Sequence, residues 1–214
     1  MAFAEIVQIL MVWTPFLLEG FVWNILISLV AMTIGTVIGA VLARMRLSER
    51  RMVAGVSLTL TELTRNIPTF VFLFYLAFLI PVEFEFAGRL YLFPAWFKAS
   101  LALSVAVVGF VSDNLSVAWR HWRNHDRLAA LLFVPNWTTY LLIIVMASST
   151  ASVIGVGEIV SRCNVVIAAV GSDEAMLWIY MYAICYFFLL CFPLNWAMGR
   201  VKQRLLAHVH RAAV

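Results

Sequence analysis

The stretch FVWNILISLVAMTIGTVIGAVLA, residues 21–43, contains 23 residues and no charged side chain. About 20 apolar residues in an α-helix cross the hydrocarbon core of a bilayer, so this stretch predicts a transmembrane helix. The rest of the chain agrees, since 64% of its 214 residues are hydrophobic, 12% are charged and the mean hydropathy is +0.97. A chain of this size has too little interior to hide so much apolar surface from water. We therefore predict an integral membrane protein.

Further uncharged windows divide the chain into more spans. They lack the polar–apolar alternation of barrel strands, so they predict helices. With their flanks, the predicted spans are residues 18–43, 66–82, 94–112, 135–156 and 175–199. The third span reaches full length if Lys98 extends its amine to the interface. The predicted fold class is thus an all-α membrane protein with five transmembrane helices, forming a single domain over residues 1–214.

Lysine and arginine are unequally distributed among the segments that join these spans. Eleven of the 15 lie after the first span, after the third span and in the C-terminal tail. Cytoplasmic segments are rich in basic residues. The pattern predicts an N-terminus outside and a C-terminus in the cytoplasm, which requires an odd number of crossings. It also accounts for the net charge of +4, so we predict no nucleic-acid partner.

Polar residues near the ends of the predicted spans are candidates for a solute path, because polar groups in a membrane are costly unless they pair or face water. In TELTRNIPTF, residues 61–70, Glu62 and Arg65 are three apart and are predicted to form an ion pair. This pair could instead anchor a helix at the interface. Pro68 predicts a kink or a restart of the helix. The path candidates are Glu62, Arg65, Asn66, Asp113, Asn114, Ser148, Ser149 and Thr150.

Other interpretations of several residues stay open. Serine and threonine hydroxyls commonly bond back to their own helix, and Asp113 and Asn114 could form a helix end or an internal contact. Gly35 and Gly39 form a GxxxG pattern that lets a helix approach closely, either within the chain or from a second subunit. His121 and His125 are four apart but have no third ligand at matching spacing, so we predict no metal site.

The order of the motifs resembles that of ABC importer permeases of the polar amino acid type. That family has an L-x-G turn, spaced glycines, a basic loop, and a stretch like YVELFRGTP that leads into an aromatic span ending in proline. This chain has LLEG at 17–20, RLSERR at 46–51, ELTRNIP at 62–68 and FLFYLAFLIP ending at Pro81. ASVIGVGEI at 151–159 is similar to the family's SVIGVPEL. The resemblance extends over residues 16–205.

The resemblance implies a type I ABC importer permease in a bacterial inner membrane. Such a subunit pairs with a second permease, binds separate ATPase subunits and receives an amino acid or a similar small polar solute from a periplasmic or surface binding protein. It implies no cofactor in this chain, with ATP and magnesium on the ATPase partner. The chain has no GxxxxGK[ST] phosphate loop and no catalytic constellation, so we predict a transport subunit and not an enzyme.

Segment 113–134, predicted as a cytoplasmic loop, departs from the family. Relatives have a coupling helix with a Glu-Ala-Ala core there, and this segment is shorter and lacks that core. If it still contacts the ATPase, the coupling residues are Trp119, Arg120, His121, Trp122, Arg123 and Arg127. Alternatively it is an interfacial turn, since tryptophan and arginine both favour that boundary. A lost coupling element implies a different, better-equipped partner permease, or a subunit that serves in assembly or regulation. A membrane-embedded enzyme is the remaining alternative.

Overall fold

The computed structural model describes residues 3–86 and 88–212, and α-helices make up most of them. In chain order the elements are α1 (Phe3–Arg46), α2 (Arg51–Asn66), α3 (Thr69–Leu79), β1 (Glu83–Phe86), β2 (Arg89–Leu92), α4 (Ala95–Arg123), α5 (Arg127–Leu131), α6 (Phe133–Ala147), a 3₁₀ segment (Ser148–Ile154), α7 (Ile159–Val170) and α8 (Asp173–Ala212). The all-α prediction is confirmed, and the strands form one short antiparallel hairpin.

Four helical stretches in the described residues are long and apolar enough to cross a membrane. They are Ala4–Arg46, Ala95–Arg123, Arg127–Ile154 and Asp173–His208. The predicted span 66–82 is not among these four, because Pro68 separates α2 from α3 and leaves α3 with 11 residues. The predicted break at Pro68 is confirmed, since proline restricts the preceding residue and cannot donate to a helix ladder.

Lys98, near the start of α4, bonds within the protein. Its side chain is buried, and its ammonium donates to the carbonyls of Ala77 and Ile80. These carbonyls lie at the C-terminal end of α3, where the last helical carbonyls lack intrahelical partners. The lysine therefore joins α4 to α3 inside the protein.

Segment 113–134 is not a loop but is mostly helical. Helix α4 continues to Arg123, α5 begins at Arg127 and α6 begins at Phe133. Between α4 and α5 the chain turns at His125, whose φ of +60° is a left-handed conformation. We call residues 119–131 the helical corner.

Contacts along the helices show that α1, α4 and α8 run in the same direction. Near one end of the contact between α1 and α4, Trp23 lies beside Trp96 with ring centroids 6.0 Å apart. Near the other end, Arg46 bonds to Asp113. Residue numbers rise together in the two helices, so they are parallel. Helix α8 is also parallel to α1. Thr14 contacts Tyr182, and Phe21, later in α1, contacts Phe187, later in α8.

Two other segments run in the opposite direction. The α6–3₁₀ segment is antiparallel to α1, because Trp137 bonds to Thr36 whereas Ser148 bonds to Asn24. The α2–α3 segment is antiparallel to α4, since Gly109 meets Arg65 and Lys98 meets Ile80. Five segments thus alternate in direction, as a five-span topology requires. The number of membrane crossings stays a prediction.

Gly35 and Gly39 allow close contact between α1 and α4. A Cβ atom built on Gly39 would lie 2.7 Å from Val111 Cβ and 2.9 Å from the Val108 carbonyl oxygen. At Gly35 the same construction collides with Val107 and with the Ser104 carbonyl. Of the two interpretations of the GxxxG pattern, the structure therefore supports packing within the chain.

The interior of the helix assembly is polar in places, whereas its outer surface is strongly apolar. Side chains with little or no exposure include those of Asn24, Ser28, Lys98, Ser148 and Glu158. Large apolar side chains are exposed instead, with Phe78 80% and Leu189 71% accessible. In lipid, apolar side chains can face the solvent and polar groups must be satisfied internally. The distribution of side chains is the one expected for a protein surrounded by hydrocarbon.

Candidate functional sites

Asp113 joins the ends of two helices to the middle of α4. Its Oδ1 accepts a hydrogen bond from Arg46 Nη1 at the end of α1, and its Oδ2 accepts one from Arg65 Nη1 at 3.0 Å, near the end of α2. The Arg46 side chain is 12% exposed, whereas that of Arg65 is 64% exposed. A hydrogen bond of 2.7 Å between the buried hydroxyls of Thr61 and Ser112 supports the same α2–α4 contact.

The predicted ion pair between Glu62 and Arg65 is wrong. The Arg65 guanidinium pairs with Asp113, and Glu62 and Asn66 lie exposed on α2. Gly109 favours this arrangement, because a Cβ there would lie 3.2 Å from the backbone nitrogen of Arg65, which is closer than an ordinary contact. Arg46 is a further member of this cluster that no local sequence pattern reveals, because its partner Asp113 lies 67 residues later.

A cavity of about 260 Å³ lies beside this cluster. Its lining includes Asp113, Asn114, His121 and Asn136. The structure thus brings two of the predicted path residues together with one of the predicted coupling residues. Asn114 Nδ2 also donates to the Phe110 carbonyl at 2.9 Å, so its amide serves the helix as well as the cavity.

The hydroxyls that precede the SVIGV motif bond back to their own helix. Ser149 Oγ donates to the Met146 carbonyl and Thr150 Oγ1 donates to the Ala147 carbonyl, both at 2.8 Å. Ser148 Oγ makes the same kind of bond to Val145 at 2.7 Å. Ser148 also accepts a hydrogen bond from a distant residue, Asn24, and so differs from its two neighbours.

Asn24, Ser148 and Glu158 form a buried cluster that sequence analysis did not predict. Asn24 Nδ2 donates to Ser148 Oγ at 2.9 Å and to Glu158 Oε2 at 3.0 Å, and its Oδ1 accepts from the Ile159 backbone N–H at 3.1 Å. Glu158 accepts two more hydrogen bonds, from the backbone N–H groups of Val160 and Ser161, and so caps α7. The cluster holds α1 against both ends of the connection between α6 and α7.

A signal for this cluster is present in the sequence. Asn24 is the one amide side chain in the uncharged stretch 21–43, and a strongly polar side chain within a membrane span requires internal partners. Glu158 lies within the ASVIGVGEI motif, and the motif alone does not indicate a buried cluster. Its partner Asn24 lies 134 residues earlier, a separation that no local pattern reveals.

The LLEG motif contributes a second contact between α1 and α7. Arg162 donates to Glu19 Oε2 at 2.7 Å and to the Phe16 carbonyl at 2.9 Å, and its guanidinium lies 4.5 Å from the Phe16 ring centroid. Gly20 permits the approach, because a Cβ there would lie 2.9 Å from the Ile159 Cα. The motif therefore serves helix packing near the start of α7.

The helical corner contains all six predicted coupling residues. Asp126 Oδ1 caps α5 by accepting from the Ala129 N–H at 3.2 Å, and its Oδ2 lies 3.2 Å from His121 Nδ1. The Arg127 guanidinium lies 5.6 Å from the Trp122 ring centroid. Arg120, Trp122 and Arg123 are exposed, whereas Trp119 is half-buried and lines a cavity of about 220 Å³.

Within the described residues, no three histidine, cysteine, aspartate or glutamate side chains are grouped so that they could hold a metal ion. The exposed arginines and tryptophan of the corner are suited to contact another protein or the membrane interface.

No protein-family model matches this chain, and no match was found among curated proteins. Among solved structures, the chain is similar to one from the crystal structure of an amino acid ABC transporter with histidines. The TM-score is 0.72 at 16% sequence identity, and the match covers 95% of this chain and 99% of the other. The chain thus has four helices long and apolar enough to cross a membrane, in a fold similar to that of a chain from an amino acid ABC transporter.

Proposed function

We propose that this chain is a transmembrane permease subunit of an ATP-driven ABC importer. The observation that carries the proposal is the similarity of fold to a chain of an amino acid ABC transporter, because it extends over nearly the whole length of both chains. The solute is a small polar compound, an amino acid or an amino-acid-like molecule. It crosses by alternating access, in which two permease subunits open first to one side of the membrane and then to the other.

The proposed topology has five crossings, with the N-terminus outside and the C-terminus in the cytoplasm. The alternation of the five chain segments supports it, with α2–α3 as the second segment. The basic ends of α1, α4 and α8 then lie on the cytoplasmic side of a bacterial inner membrane, as the positive-inside rule requires. Contacts between Arg46 and Asp113, and between Lys202 and Asn136, are consistent with a common level for these ends.

Asp113 and Asn114 are the strongest candidates for the inner end of the solute path. They line the cavity of about 260 Å³ at the proposed cytoplasmic end of the helices. Further candidates for the path are Glu62, Arg65 and Asn66 on α2, whose polar side chains are exposed. Ser149 and Thr150 are weaker candidates for the solute path, since their hydroxyls bond to their own helix. Ser148 belongs to the Asn24 cluster, where a structural role explains its bonds.

The proposed partners are ABC ATPase subunits that supply ATP and magnesium, a solute-binding protein, and a second permease of different sequence. The helical corner is the proposed contact with the ATPase through Arg120, Trp122 and Arg123. One specific observation favours a second candidate function, a non-transporting assembly or regulatory subunit of the same kind of complex. The corner lacks the Glu-Ala-Ala core of the related coupling helix.

Reversal of charge in the corner separates these two functions. We expect Arg120→Glu together with Arg123→Glu to lower uptake at least tenfold in the reconstituted complex, while ATP hydrolysis continues without uptake. The matched control is Arg50→Glu together with Arg51→Glu, which reverses two charges at exposed positions at the start of α2. If uptake and complex assembly are the same in the corner variant as in the control, the coupling role of the corner is wrong. A complex that transports without this chain would support the assembly function instead.

A further inference from the structure

An open groove of about 510 Å³ lies between α6 and α8. Its walls are almost entirely apolar and include Leu142, Ile143 and Met146 on α6, with Ile184, Phe188 and Phe192 on α8. Several of these side chains are exposed, for example Ile184 at 63%. An open apolar groove of this kind is poorly suited to a small polar solute, because it offers few hydrogen-bond partners.

The groove has the length of one bilayer leaflet. On α8 its lining extends from Ile184 to Asn195, which corresponds to about 16 Å along a helix that rises 1.5 Å per residue. The hydrocarbon core of a bilayer is about 30 Å thick, so one leaflet contributes about half of that. A single acyl chain lying along α8 would therefore fill the groove from end to end.

One end of the groove is polar and leads to a cation. Thr139 and Asn195 line this end, and Lys202 lies two helical turns beyond Asn195 on the same face of α8. The Lys202 ammonium donates to Asn136 Oδ1 at 3.1 Å, and Asn136 lies one turn before Thr139 on α6. Since an ammonium has three donors, this bond leaves Lys202 able to bind an anion.

Aromatic and basic side chains at the same end mark the membrane boundary. The Arg200 guanidinium lies 4.0 Å from the Trp196 ring centroid, and tryptophan and arginine together are typical of the level of the lipid head groups. Arg200 is also the first charged residue after the uncharged stretch 175–199. In the proposed membrane topology, the polar end of the groove therefore lies near the level of the lipid head groups.

We propose that the groove between α6 and α8 binds an anionic phospholipid. One acyl chain lies along the groove, and the phosphate lies at Lys202, with Asn195 and Thr139 as neutral polar neighbours. In the proposed orientation this is the cytoplasmic leaflet, whose anionic lipids attract basic residues next to membrane helices. The inference rests on the proposed membrane topology but not on transport activity.

A second copy of the chain is a weaker candidate for this groove. A two-fold axis along the membrane normal brings the same patch of each copy to the interface at the same depth. Lys202 and Arg200 of the two copies would then approach each other, and like charges across an interface are unfavourable. A lipid phosphate compensates the same charges.

Lipid retention by the purified 214-residue chain tests the proposal. We expect native mass spectrometry to show preferential retention of phosphatidylglycerol over phosphatidylcholine with the same acyl chains. Lys202→Gln should weaken phosphatidylglycerol binding about fivefold, the factor that corresponds to about 1 kcal/mol for one basic residue. Arg204→Gln is the matched control, because it removes the same charge from the opposite face of α8 and should leave retention unchanged.

A second pair of variants tests the groove itself. Cys191→Trp fills the groove and should lower the retention of both lipids, whereas Leu189→Trp places the same ring on an exposed face outside the groove lining. The proposal is overturned if wild type shows no preference for phosphatidylglycerol, or if Lys202→Gln retains it as wild type does. Unchanged lipid retention with loss of self-association in Cys191→Trp would identify a second copy as the occupant. If the chain retains the lipid but a complex that contains it shows no uptake, the proposed transport function is wrong and the lipid proposal stands.

Discussion

At the scale of single residues, Asp113 has the most partners among the charged side chains proposed for the path. It accepts hydrogen bonds from two arginines that belong to different helices. Removal of one member of a largely buried ion pair leaves the other charge without compensation, which costs more than the pair itself contributes. The Arg46 side chain is in this position, because only 12% of it is exposed.

We therefore expect Asp113→Ala to lower the free energy of unfolding by about 3 kcal/mol, measured by denaturation of the purified protein in detergent. Glu62→Ala removes a carboxylate from the exposed surface of α2 and should change stability by less than about 0.5 kcal/mol. Arg46→Met in the Asp113→Ala background should recover part of the loss, because it removes the uncompensated charge. Equal stability of Asp113→Ala and Glu62→Ala would contradict the pairing of the buried Arg46 with Asp113.

At the scale of helices, the two glycines of α1 set its distance from α4. A methyl group at Gly39 would collide with Val111 and with the Val108 carbonyl, and backbone atoms cannot move away without separating the helices. Gly55 in α2 has no atom within 4 Å of the corresponding position. A side chain is therefore excluded at Gly39 but has room at Gly55.

We expect Gly39→Ala to destabilise the protein by about 1–3 kcal/mol, the usual cost of overpacking. Gly55→Ala should be neutral or stabilise it by up to about 1 kcal/mol, since glycine is a poor residue in a helix interior. Thermal denaturation of both variants in the same detergent measures the difference. A lower stability for Gly55→Ala than for Gly39→Ala would show that α1 and α4 are not in close contact.

The sequence predicted helices where apolar stretches are long, and it failed where a contact joins distant parts of the chain. Pro68 acts locally, so the break between α2 and α3 was predictable. Glu62 and Arg65 satisfied a local rule for pairing, yet Arg65 pairs with Asp113, 48 residues away, because Gly109 lets α2 and α4 meet. The Asn24 cluster was missed for the same reason. Helical continuity through Arg123 was missed because charge and tryptophan content indicated a loop.

At the scale of the whole molecule, the proposed topology assigns each connection to a side of the membrane. Ser48 and Asn124 are expected in the cytoplasm, whereas Arg89 and Ser172 are expected outside. The short α3 has 11 residues, which cover only part of a bilayer, so a second crossing requires a contribution from α2 or the flanking residues. The positions of Ser48 and Arg89 therefore decide whether α2–α3 crosses.

Single cysteines at these four positions, in a chain whose native cysteines are replaced by serine or alanine, make the test. In intact cells a membrane-impermeant maleimide should label cysteine at positions 89 and 172 but not at positions 48 and 124. Permeabilised cells should allow labelling at all four, which controls for buried sites. Labelling of positions 48 and 89 from the same side would eliminate the second crossing.

The link between Arg46 and Asp113 has a consequence for biosynthesis. Asp113 follows Arg46 by 67 residues, which a ribosome adds in about 3–13 seconds at 5–20 residues per second. In the proposed topology, α1 is available for insertion during that interval, and Arg46 is part of the charge that retains its end in the cytoplasm. The same guanidinium becomes a buried structural partner only when α4 arrives. Nascent α1 therefore takes its orientation before the carboxylate that will hold its end has been made.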